Sequence, residues 1–128
     1  MDFSKNVIGT WMLESFEIKT PEGIIKPWGN KTHGLLIYAD SGHMSVSINR
    51  EPENKSGNEA QNSFDSILFY SGTYQVEGNV IRHQVTEASN PSRIGKEMIR
   101  YAEIKNNTLI LTTPIESFGQ ATLVWKRT

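Results

Sequence analysis

The chain has 128 residues and a mass of 14.5 kDa, enough for one domain with a real hydrophobic core. Its 13 Lys and Arg against 14 Asp and Glu give a net charge of -1, which removes the basic field that nucleic acid or an anionic membrane surface requires. It has no cysteine, so disulfide frameworks, thiolate metal sites and thiol nucleophiles are excluded.

Residues 2–8 read as a short helical turn, with Phe3 and Val7 one turn apart. The opening Met1-Asp2-Phe3-Ser4-Lys5-Asn6 has no apolar run of the kind that heads a secretory signal; taken as the native start, it implies a cytoplasmic protein. No stretch approaches the ~18 consecutive apolar residues that span a bilayer, so membrane insertion is not expected. Gly, Asn, Asp and Pro then divide the sequence into eight short β-rich stretches, at 10–19, 34–39, 43–49, 67–77, 79–87, 96–104, 108–113 and 120–127. Asp40-Ser41-Gly42, Glu77-Gly78-Asn79 and Asn106-Asn107 supply residues that tolerate the positive φ of tight β-turns. Residues 50–66 are polar and broken by Pro and Gly, and predict a mobile loop with a helical turn around Glu59–Ser66. One domain over 1–128 with eight hairpin-spaced strands predicts an all-β fold, an eight-stranded up-and-down antiparallel barrel or a sandwich. Closure into a barrel removes sheet edges, and eight strands leave an interior wide enough for side chains and one small ligand.

Alternation along the strands assigns an inner face. It contains Met44, Val46 and Ile48, then Tyr70, Gly72, Tyr74 and Val76, then Ile81, His83, Val85 and Glu87. The last strand turns Ala121, Leu123, Trp125 and Arg127 inward. The stretch 96–104 reads either way; the set Met98, Arg100, Ala102 and Ile104 is preferred inside, because Ile104 then meets Leu109. A turn near Asn90-Pro91-Ser92-Arg93 sets His83 roughly opposite Arg100. The interior is therefore partly polar, with Tyr70, Tyr74, His83, Glu87 and Arg100 among apolar walls that include Leu111. A buried cation needs a partner. For Arg100 that is either Glu87 or a ligand carboxylate or enolate.

The first strand opens Gly9-Thr10-Trp11 and the last ends Leu123-Val124-Trp125-Lys126-Arg127. This resembles the lipocalin/calycin pattern, in which the Trp plugs the closed barrel end and a basic side chain, here Arg127 or Lys126, packs over its ring. The wider run from Gly34-Leu35-Leu36-Ile37-Tyr38 through Ser45-Val46, with Tyr70-Ser71-Gly72-Thr73-Tyr74, Asn90-Pro91, Gly95 and Arg100-Tyr101, resembles the small bacterial and fungal lipocalin-like domain family. That resemblance implies a stand-alone eight-stranded barrel, some relatives of which act as isomerases or cyclases. It also implies a lid over the open mouth, where Pro27-Trp28-Gly29-Asn30 falls; Trp28 is then either a lid aromatic or a loop anchor.

His33, His43 and His83 lie on separate strands, which gives no metal-ligand spacing. No Gly-x-Ser-x-Gly elbow and no phosphate-cradling glycine loop is present. The leading expectation is a barrel binding a small hydrophobic or aromatic molecule with a polar or anionic group. Trp28, Met44, Val46, Tyr70, Tyr74, His83, Met98 and Arg100 are its ligand-binding candidates, with no cofactor and no metal. The alternative is a cofactor-independent isomerase or cyclase, with His83, Tyr74, Glu87 and Arg100 as catalytic candidates around a near-neutral imidazole. A third class is a filled barrel that works through its outer surface, for which a homodimer is the simplest partner. Phe64, Ile67, Leu68 and Phe69 are expected to cover the core.

Overall fold

The computed structural model describes residues 3–53 and 57–128. Its elements are α1 (Phe3–Val7), β1 (Gly9–Lys19), β2 (Ile25–Pro27), β3 (His33–Tyr38), β4 (His43–Asn49) and α2 (Glu59–Asp65). They continue with β5 (Ile67–Glu77), β6 (Val80–Ala88), a 3-10 turn at Pro91–Arg93, β7 (Glu97–Lys105), β8 (Thr108–Thr112) and β9 (Gln120–Arg127). Each of the eight expected strands is present within a residue or two. β2 is an addition, a three-residue strand on a hairpin that extends β1 past the mouth. Of the predicted polar loop, residues 54–56 lie outside the described residues. Among those described, no helix is long and apolar enough to cross a membrane.

Neighbouring strands from β3 to β9 pair antiparallel in chain order, and β1 pairs with both β3 and β9, which closes an up-and-down barrel. Gly42, Gly78 and Asn106 take positive φ values of 92°, 62° and 58° in the hairpin turns, as their sequence positions require. β1 carries a bulge between Leu13 and Ser15 opposite β9. The extra residue flips the alternation, so that Trp11 and Phe16, five positions apart, are both buried.

A second bulge separates Ser71 and Gly72 opposite β6. There Gly72 lies so close to its neighbour that a Cβ atom would stand 1.8 Å from the Gln84 carbonyl oxygen. Only glycine fits this approach. The same bulge turns Glu87 outward, where its carboxylate accepts from Ser71 at 2.9 Å and from Thr86. The expected inward position of Glu87 is thereby corrected: strict alternation fails at Thr86.

The closed end is solid. Trp11 is fully buried, and its indole N–H donates to the Val7 carbonyl at 2.9 Å, which ties α1 across the barrel floor. Arg127, not Lys126, is the basic partner: its guanidinium carbon stands 4.1 Å from the Trp11 ring centroid. The same group donates to the carbonyls of Ile8 and Asn6. Arg127→Ala removes the cation–π contact and orphans those carbonyls, and should lower unfolding free energy by about 2 kcal/mol in urea titration. A loss below about 0.5 kcal/mol would show that the cap does not stabilise the closed end.

Candidate functional site

The half of the barrel away from Trp11 is hollow, with a cavity of about 720 Å³. Val46, Ile48, Leu68 and Met98 form one wall; Phe16, Leu111 and Leu123 face them. Apolar inward positions of half-buried strands make this lining, as alternation dictates. A hollow interior contradicts the filled-barrel expectation. A smaller, polar groove of about 370 Å³ lies outside, between Trp28, Arg50 and α2.

Trp28 is both wall and anchor. Its ring stacks on Phe16 at 4.9 Å and 7°, and the Arg50 guanidinium carbon stands 4.2 Å from its ring centroid. Arg50 also donates to the carbonyls of Trp28 and Asp65, which binds the lid to the end of α2.

The polar part of the site is built on β5, β6 and β7. His83 is 1% exposed and pairs across the sheet with Tyr74 and Met98. Its Nδ1 lies 2.6 Å from the Tyr70 hydroxyl and its Nε2 lies 2.6 Å from the Tyr38 hydroxyl. Burial, reinforced by the charge of Arg100, holds the imidazole pKa down at about 3, so the ring is neutral. Burial also raises the Tyr38 and Tyr70 phenols above their ordinary value, while Arg100 opposes that rise.

Arg100 pairs with Ile81 in the sheet and therefore sits one inward position further along β7 than expected. A two-residue offset keeps it on the His83 face. One guanidinium nitrogen donates to the Ile99 carbonyl at 2.8 Å. Among the described residues no carboxylate pairs with Arg100: Glu87 is outside, and Glu97 is bound to Arg82 at 2.9 Å. The internal ion pair allowed by the sequence does not form. Arg93 and Lys96 add positive charge beside the mouth, against Glu97 and Glu116. Trp125 lines the cavity too, and its buried indole N–H has no hydrogen-bond partner among the described residues.

Of the sequence-derived candidates, Trp28, Val46, Tyr70, His83, Met98 and Arg100 line one cavity. Met44 and Tyr74 do not. Met44 is buried in the closed half, opposite Tyr38 and Gly72. Tyr74 packs edge-on against Tyr38 at 4.8 Å and donates to the Ala39 carbonyl at 2.9 Å. Alternation gives a side chain's face but not its depth, and these two lie below the cavity floor. Phe64 and Ile67 are each 44% exposed and so do not cover the core; Leu68 does. Sequence reasoning missed Tyr38 as a partner of His83, although Tyr38 shares the parity of buried Leu36. It also missed Arg93, which stands in a turn where parity says nothing, and Lys96, which shares the parity of Met98 in the stretch read as a strand over 96–104.

A family model for a lipocalin-like domain matches residues 8–128. No curated protein sequence matches the chain. Among solved structures it is similar to a redesigned β-barrel, at 8% identity and a TM-score of 0.53, over 98% of this chain and 94% of that one. It is also similar to an uncharacterized protein from Bacteroides eggerthii, at 14% identity and a TM-score of 0.52, over 95% and 99% of the two chains. A fatty-acid-binding protein 1 from Echinococcus granulosus aligns at 14% identity and a TM-score of 0.48, over 97% and 98%. At such identities the first two likenesses concern the fold alone.

The buried imidazole carries a pH signature. Unfolded, it titrates near 6.5; folded, near 3. Between these values the unfolded chain binds the extra proton, so this contribution is complete above the unfolded pKa and is lost as pH falls toward the folded one. The slope approaches about 1.4 kcal/mol per pH unit. Urea midpoints of wild type and His83→Gln, measured from neutral pH downward, should converge as acid is added. Parallel curves would contradict a buried, neutral His83.

Proposed function

The chain belongs to the lipocalin-like domain family, and we propose that it binds a small hydrophobic or aromatic molecule inside the barrel, with an anionic group of that molecule held by Arg100 and Tyr70. The observation that carries this is a guanidinium facing a cavity of about 720 Å³ with no carboxylate paired to it among the described residues. A bound anion gains charge-assisted hydrogen bonds in a site of low dielectric, and the apolar walls take the rest of the molecule. Trp28 and Phe16 close over it, and Val46 and Met98 contact it from the side.

Proton-transfer chemistry is supported less well. Both His83 nitrogens are engaged by tyrosines, so the ring is not offered to a ligand, and Glu87 and Tyr74 lie outside the cavity. Binding needs none of those groups to move a proton. A chain without cysteine requires no oxidising compartment, and the cytoplasm is the location that suits it.

An anilinonaphthalene sulfonate, apolar and anionic, tests the proposal through quenching of the cavity tryptophans. Saturable quenching, reversed by decanoate and weakened about tenfold in Arg100→Gln, is the expected result. Absence of saturable binding by either probe would overturn it.

A further inference from the structure

Tyr38, His83 and Tyr70 form a continuous chain of two hydrogen bonds, each 2.6 Å long, from the solid half of the barrel to the cavity wall. A neutral imidazole has one donating and one accepting nitrogen. The chain therefore runs in one of two directions, with the same two bonds in either. They differ only in where the spare hydroxyl hydrogen is left.

If His83 carries its proton on Nε2, it donates to Tyr38, and Tyr70 donates to Nδ1. The spare hydrogen is then on Tyr38, which is 1% exposed and has no other hydrogen-bond partner for its hydroxyl among the described residues. An unmade bond in such a place costs about 1–3 kcal/mol. If His83 carries its proton on Nδ1, Tyr38 donates to Nε2 and Nδ1–H donates to Tyr70. The spare hydrogen is now on Tyr70, which lines the cavity, whereas Tyr38 does not.

The geometry points to a one-way chain, from Tyr38 through His83 to Tyr70, that fixes the Tyr70 hydroxyl as a donor into the cavity and so selects a ligand group that only accepts, a carboxylate. This rests on the ligand-binding reading and deepens it. His83 and Tyr38 are positioning residues here: they touch no ligand, and they set the sense of the bond that Tyr70 offers. A hydroxyl or ammonium group at the same depth meets donors alone, from Tyr70 and Arg100, and leaves its own hydrogens unpaired.

Two measurements test the chain. Long-range proton–nitrogen NMR of the His83 ring in the ligand-free protein should show Nδ1 protonated and Nε2 bare; the opposite tautomer overturns the proposal without touching the ligand-binding reading. Calorimetry with decanoate and decanol then compares wild type with Tyr38→Phe, whose altered side chain lies outside the cavity. Loss of its hydroxyl frees the imidazole to reverse, and decanoate binding should weaken about fivefold to tenfold while decanol binding is unchanged. Equal weakening of both probes would mean that Tyr38 only supports the wall, and would overturn the selection. Failure of wild type to bind either probe, with Nδ1 protonated, would overturn the ligand-binding reading and selection together and leave the proton order standing.

Discussion

Strand β1 has to hydrogen-bond on both sides, and the rest of the molecule depends on it. Its first half pairs with β3, and nearly its whole length with β9. Without both ladders the sheet is open, with two long edges and no interior. Trp11 and Met12 pair on both sides before the bulge that follows Leu13. That bulge sets the parity of the second half, so that Trp11 lies at the floor and Phe16 on the cavity wall.

The barrel fills unequally. Trp11, Tyr38 and Leu109 are packed into one end. At the other end Val46, Ile48, Leu68 and Met98 stand across from Phe16, Leu111 and Leu123 with space between them. The Tyr38–His83–Tyr70 chain lies between the two halves, and its location gives it a polarity. One terminus is sealed among core residues; the other borders a space where water or a ligand accepts a hydrogen bond. Arg100 adds to the cavity wall a guanidinium with no carboxylate paired to it among the described residues. Such an arrangement is costly when empty and relieved by an anion.

Most of the fold was legible because a barrel repeats one simple rule. Turn chemistry at Gly42, Gly78 and Asn106 marked the hairpins, alternation named the inner face of β4 and β9, and the pairing of Ile104 with Leu109 decided that of β7. Where the rule breaks, reading failed in a specific way. Bulges are local insertions that period-two reasoning does not register, and so Glu87 was turned to the wrong side. Depth along the barrel axis is set by strand stagger, which no single strand records; Met44 and Tyr74 therefore faced inward yet missed the cavity. Tyr38 went unnoticed as a partner of His83 because their contact spans 45 residues and three strand pairings. Arg93 sits in a turn, where the chain has no period at all.

The central claim is that the cavity is a binding site whose donors meet an anion. Decanoate titrated into nitrogen-15-labelled protein reads those donors directly. The account predicts saturable shifts of the Arg100 side-chain N–H and the Trp125 indole N–H, with the Trp11 indole N–H, already bonded to Val7 at the closed end, left unmoved. Shifts confined to outer-face residues, or no saturable shift at Arg100, would contradict it.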